Sequence, residues 1–140
     1  DIIQLHGSEP REYLAELNYP VIKAFSVQRP IDADDLDGWN AWAFLLDAYS
    51  PERRGGTGKA IDPDLLKSLG NFDNIILAGG LRPDNVGEAI RRYRPMGVDV
   101  SSGVEYPHGG KNPHAILRFM QEVREASGIQ PGPGRVAGKR

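Results

Sequence analysis

Asn74-Ile75-Ile76-Leu77-Ala78-Gly79-Gly80-Leu81, followed by apolar residues at Val86, Ala89, Ile90 and Tyr93, is the stretch that decides the fold. The run from Asn74 to Ala78 is short and nearly continuous in apolar residues, as expected of a strand covered on both faces in a parallel sheet. The i, i+3, i+4, i+7 spacing after it is one stripe of a helix packed on that sheet. Strand, glycine turn and helix make one β/α unit, and the chain repeats that alternation five times.

The other strands are expected at Ile2 to His6, Val21 to Val27, Trp42 to Asp47 and Val98 to Ser101. Between them, Tyr13, Leu14 and Leu17 predict a helix after Ser8. Leu65, Leu66 and Leu69 predict another, with Asp62 as N-cap, Pro63 in the first turn and Gly70 past its end. Ile116, Leu117, Met120 and Val123 give a last apolar stripe behind Asn112 and Pro113. The segment Asp32 to Asn40 is strongly acidic and offers only Leu36 and Trp39 as apolar anchors, enough for a single turn.

The chain has 140 residues, a formal net charge of −2 and no cysteine. One domain with a buried core fits that length. The charge gives no broad attraction to nucleic acid or anionic membranes, and no apolar run nears the ~20 residues that span a bilayer. A soluble, cytosolic protein is therefore expected. Lack of cysteine excludes disulfides, thiolate metal sites and a cysteine nucleophile within these residues. The chain opens without methionine on what reads as a strand already under way, so residue 1 is expected to be a cut inside a longer protein. The ordered domain is expected over 1–125, with a Pro/Gly-rich, disordered tail over 126–140.

In parallel α/β sheets ligands bind beyond the carboxyl ends of the strands. Four of the five expected strands end there in polar or glycine residues: His6-Gly7, Asp47, Gly79-Gly80 and Ser101-Ser102-Gly103. Glycines let a backbone approach an anion, and the amides of a turn or helix start can hold phosphate oxygens, so the last two ends together fit a phosphate cradle better than two tight turns. Asp47 closes the apolar run Trp42 to Leu46; it either caps the next turn or holds a proton for general acid catalysis at an apolar mouth. His6 is either a structural hydrogen-bonding group or a catalytic one. Lys23 and Asp99 lie inside their strands, where charges need partners, and a pairing between them is one candidate.

Arg53-Arg54-Gly55-Gly56-Thr57-Gly58-Lys59 lacks the Gly-x-x-x-x-Gly-Lys-Ser/Thr spacing of a P-loop, so a nucleotide triphosphatase is excluded. A glycine-rich loop that closes over a ligand beside Asp47 is the better reading, with Gly56 and Gly58 as its substrate-loop residues; an exposed connector is the alternative.

Five motifs in order then carry a resemblance: Ile3-Gln4-Leu5-His6-Gly7, Val21-Ile22-Lys23-Ala24, Leu45-Leu46-Asp47 with Gly55-Gly56-Thr57-Gly58-Lys59, Ile76-Leu77-Ala78-Gly79-Gly80-Leu81, and Val98-Asp99-Val100-Ser101-Ser102-Gly103-Val104-Glu105. Over residues 1 to 125 the chain resembles phosphoribosylanthranilate isomerase of tryptophan biosynthesis from its fourth strand onward. The resemblance implies a partial (β/α)₈ TIM barrel, the last five β/α units with strands four to eight in a parallel sheet. It implies an Amadori rearrangement of a phosphorylated sugar substrate, with no metal and no organic cofactor. By the same resemblance Asp47 is the general acid, His6 and Asp99 are supporting active-site residues, and Gly79, Gly80, Ser101, Ser102 and Gly103 hold the substrate phosphate. The family's general-base cysteine, at the end of its first strand, has no counterpart here. Ile61 stands where the family usually has phenylalanine.

Five strands cannot close an eight-stranded barrel, so edge association, little activity in isolation and a covalent or non-covalent N-terminal portion as partner are expected. Two alternatives stand beside this reading: a non-catalytic phosphate-binding half-barrel, and the related sugar isomerase of histidine biosynthesis. The motifs at Gln4 to Gly7 and Ser101 to Glu105 favour the tryptophan enzyme over the second.

Overall fold

The computed structural model describes residues 1–47 and 62–129. Gly56, Gly58 and Ile61 of the glycine-rich segment, and residues 130–140 of the expected tail, lie outside the described residues; the tail's first two residues, Ala126 and Ser127, instead end the helix Pro113–Ser127, with Ala126 packed on the core. Five strands, β1 (Ile3–Leu5), β2 (Val21–Ser26), β3 (Ala43–Asp47), β4 (Ile75–Ala78) and β5 (Gly97–Val98), form one parallel sheet in the order β1-β2-β3-β4-β5. Each strand therefore pairs with its sequence neighbours, and the order never reverses as it does in doubly wound sheets.

The connecting segments are a 3₁₀ turn (Arg11–Glu16) and helices α1 (Ala33–Leu36), α2 (Pro63–Leu66) and α3 (Val86–Tyr93). A second 3₁₀ turn (Ser102–Val104) and helix α4 (Pro113–Ser127) follow β5. Phe44, Leu46, Ile75 and Leu77 on one sheet face join one core with Leu66, Val86, Ala89, Ile90 and Phe119 from the helices, and Leu36 of α1 packs on its edge. Because side chains alternate along a strand, the helices cover one face and leave Ala43, Leu45, Asp47, Ile76 and Ala78 to the other.

Helix starts follow the sequence closely. Asp32 caps α1 in a capping box with Asp35, Asp62 accepts from the Asp64 amide ahead of Pro63, and Asn112 accepts from the His114 and Ala115 amides ahead of Pro113. Five expectations need correction. The first helical segment is a 3₁₀ turn that buries Leu14 and leaves Tyr13 exposed. Helix α2 is one turn, because the chain tightens from Leu66 to Leu69 and leaves at Gly70, whose φ of +67° is in the left-handed region. The last strand stops at Val98; the Asp99 amide still reaches the Leu77 carbonyl at 2.8 Å, but the chain then turns out of the ladder at Ser101.

The last helix also turns a different stripe inward. Phe119 is buried, with Ala115, Val123 and Ala126 beside it against the core, whereas Leu117 is 68% exposed. Ile116 and Met120 lie on the flank and line, with Val98, Val104 and Val123, an apolar groove of about 410 Å³ next to β5.

The fifth correction concerns Lys23. Its register partners are Leu5 and Phe44, so it points to the helix-covered face, whereas Asp99 follows Val98 and belongs to the opposite one. The ammonium, on a residue only 2% exposed, instead donates to the Gly7 carbonyl and the Glu9 carboxylate, both at 2.7 Å, and lies 5.0 Å from the Trp39 ring centroid. The hydrogen bond from Lys23 is the main reason the Glu9 carboxyl titrates below its ordinary value of 4.5. A lowered folded pKa means that Glu9 contributes stability above its unfolded titration range and loses it as pH falls through the folded value. In urea denaturation, Glu9→Gln is expected to be less stable than the parent at neutral pH, with the gap narrowing as the pH falls below the ordinary carboxylate range. An equal gap at neutral and low pH would contradict this.

Candidate active site

Register places the rim residues. Ser26 pairs with Asp47 and Asp47 with Ala78; Leu77 pairs with Val98, so the next step sets Ala78 beside Asp99. Parallel partners share a face, so Ser26, Asp47, Ala78 and Asp99 form one layer at the carboxyl end of the sheet. Asp47 and Asp99 are both exposed and two strand spacings apart, about 10 Å between backbones. Ala78, with only a methyl side chain, stands between them in the layer.

His6 stands one layer lower. Leu5 pairs with Lys23, so His6 continues alongside Ala24 and Leu45 on the same face as Asp47. The Gly7 carbonyl held by Lys23 fixes the turn that follows it. Gln4, paired with Ile22, falls on this face as well and is exposed. Gln4 and Ser26 were not anticipated, although counting in twos back from His6 and across from Asp47 would have found them.

The two glycine-bearing ends come together as one structure. Gly79 and Gly80, at φ +93° and +62°, turn the chain off β4 in a conformation that side chains rarely adopt. Across from them, Gly103 lies so close to the Leu81 backbone that a Cβ there would be 1.8 Å from the Leu81 carbonyl oxygen. Absence of a side chain at Gly103 is thus a packing requirement, and it locks the loop after β5 onto the loop after β4. Lys111 closes the second loop: its ammonium donates to the Ser101 carbonyl at 2.9 Å and to Glu105 at 2.7 Å, and approaches the Ser101 hydroxyl at 3.4 Å. Lys111 is therefore a cation at the Ser101 turn that sequence reasoning missed. Among the described residues no three His, Cys, Asp or Glu side chains converge as a metal site.

A parallel sheet wound in one direction, helices on a single face and a polar carboxyl rim define this chain as part of a (β/α)₈ barrel. The model of the N-(5'phosphoribosyl)anthranilate (PRA) isomerase family matches residues 1–122, and the chain belongs to that family. It is 49% identical over 125 residues to N-(5'-phosphoribosyl)anthranilate isomerase of Syntrophomonas wolfei, covering 89% of this chain and 61% of the relative. The crystal structure of phosphoribosyl anthranilate isomerase from Thermus thermophilus superposes with a TM-score of 0.69 at 35% identity, over 89% of this chain and 60% of that one. A phosphoribosyl anthranilate isomerase in complex with reduced 1-(o-carboxyphenylamino)-1-deoxyribulose 5-phosphate superposes at 0.60 with 31% identity, over 91% and 60%. The chain thus spans about 61% of the length of that curated relative. No helix among the described residues is long and apolar enough to cross a membrane.

Gly103→Ala tests the joint between the loops. A methyl group set against a backbone carbonyl cannot rotate away, so the loops must part, at a cost of about 1–3 kcal/mol or more. Chemical denaturation is expected to show that loss, and a variant as stable as the parent would show that the loops are not locked there.

Proposed function

We propose that this chain carries the acid and the phosphate-holding side of an enzyme that rearranges N-(5-phosphoribosyl)anthranilate to 1-(2-carboxyphenylamino)-1-deoxyribulose 5-phosphate in cytoplasmic tryptophan biosynthesis. The observation that carries the reading is the layer Ser26, Asp47, Ala78 and Asp99, lying on the sheet rim next to the joined glycine loops in a member of this family. The bound sugar phosphate named for the related isomerase structure supports the same substrate class.

The chemistry needs an acid and a base. Asp47 donates its proton to the ribose ring oxygen as the C1–O bond breaks, and the anthranilate nitrogen lone pair forms the C1 iminium. A base then removes the proton from C2, the electrons neutralise the iminium nitrogen, and the resulting enol tautomerises to the ketone. Within this mechanism Gly79, Gly80, Ser101, Ser102 and Gly103 bind the phosphate, holding C1 over the sheet. Asp99 and His6 flank the reacting carbons as hydrogen-bonding groups, and Gly56 and Gly58 belong to the loop that closes over the sugar. The reaction written this way uses no metal and no organic cofactor.

These 140 residues contain no cysteine to serve as the family's base, so the proposed partner is the N-terminal portion of a relative-length barrel, covalent or not. The groove beside β5 and α4, with its exposed Ile116 and Met120, supports that surface as the closing seam. Residues 1–140 alone are expected to leave the anthranilate fluorescence of the substrate unchanged; robust turnover by them would remove the need for an outside base. In a protein of the relatives' full length, Asp47→Asn is expected to lower kcat by about 10²–10⁴-fold, the usual range for a general acid. Normal turnover in that variant would sink the acid assignment, and absence of turnover in the parent would favour a phosphate-binding half-barrel.

A further inference from the structure

We propose that Asn85 is a positioning residue that sets the phosphate cradle, acting through the Gly80–Leu81 peptide; this deepens, and rests on, the reading of the rim as a phosphate site. Asn85 stands at the N-cap position of α3, yet its side chain makes no cap bond to the helix. It reaches backwards instead: Nδ2 donates to the Gly80 carbonyl at 3.1 Å and Oδ1 accepts from the Arg82 amide at 2.8 Å. The residue is 8% exposed, so both bonds lie where an unmatched amide is costly. Asn85 thus holds the turn on both sides of Leu81, whose own side chain is 2% exposed and pinned in the core.

Peptide geometry turns these two bonds into an orientation. The C=O and N–H of one trans peptide point in opposite directions in a common plane. With the Gly80 carbonyl drawn to Asn85, the N–H of Leu81 in the same peptide is aimed away from Asn85. Gly80 sits at φ +62° and glycine crosses between backbone regions with little steric resistance, so the peptide after it needs an outside restraint to keep one orientation. Reversal of that plane would present a carbonyl oxygen where a phosphate requires a donor. The joint between Gly103 and the Leu81 carbonyl fixes the following peptide, so Asn85 and Gly103 hold consecutive peptide planes of the same turn.

The test compares the full-length parent with Asn85→Ala and Asn85→Ser, using inorganic phosphate as the probe. Serine retains a good N-cap for α3 and adds no charge, but its hydroxyl is too short to bridge Gly80 and Arg82. Both variants are expected to raise the inhibition constant of inorganic phosphate and the substrate KM by about tenfold, the effect of one or two hydrogen bonds, while kcat changes by less than about threefold. If either folded variant keeps the parental KM and phosphate inhibition while Tm falls, Asn85 only supports the fold and the proposal is overturned. Should alanine prevent folding, the serine variant decides by the same readings. A parent that neither binds phosphate nor isomerises removes the site and the role of Asn85 with it, whereas a phosphate-binding parent with unchanged variants removes only the latter.

Discussion

Everything in this molecule depends on the parallel register about β3. Phe44 and Leu46 bury one face of that strand under the helices, while Ala43, Leu45 and Asp47 belong to the other. A shift of one residue against β2 or β4 would drive Asp47 into the core and bring Leu46 to the rim, reversing both faces at once. The burial of Leu46, Ile75 and Leu77 to 0% exposure therefore specifies the position of the carboxylate as firmly as any bond made by the carboxylate itself. Packing and chemistry are separated by strand parity.

Polar contacts then fix what apolar packing leaves loose. Lys23, charged within the helix-covered layer, is satisfied by a carbonyl and a carboxylate, and both come from the turn after β1. Lys111 does the same for the turn after β5, and Asn85 for the turn after β4. Each of these side chains binds a main-chain carbonyl in a rim turn, so the backbone of the rim is held by side chains. That arrangement suits a site in which backbone donors, rather than long side chains, meet a phosphate group.

The five-unit architecture was legible in the sequence because strands covered on both faces are continuous apolar runs, and Ile75 to Ala78 and Ala43 to Leu46 are buried or partly buried as such runs require. Helix starts were legible for a local reason: Asp32, Asp62 and Asn112 bond amides within three residues. What was misread depends on distant atoms. The partner of Lys23 is decided by which face residue 23 occupies, a matter of register with β3. The inward stripe of α4 centres on Phe119, because the alternative stripe at Ile116 and Met120 is equally apolar in sequence and only the position of β5 distinguishes them. Asn85 escaped notice because it looks like an ordinary cap. Asp47, His6 and Asp99 could be singled out at expected strand ends, whereas the shared face of Gln4 and Ser26, one layer along or one strand across, required the pairing.

The unreversed strand order also bears on how the chain acquires its shape. Every pairing in the sheet joins strands that are neighbours in the sequence, so each step closes a loop of modest length. Such a sheet can grow by accretion, unit upon unit, with the conformational cost of each addition offset before the next begins. Joining its two outer strands through further units is a different kind of event, since it links segments at opposite ends of the sequence. Where a sheet of this design is closed into a barrel, that long-range pairing has the largest loop to close and is the slowest kind of contact to form.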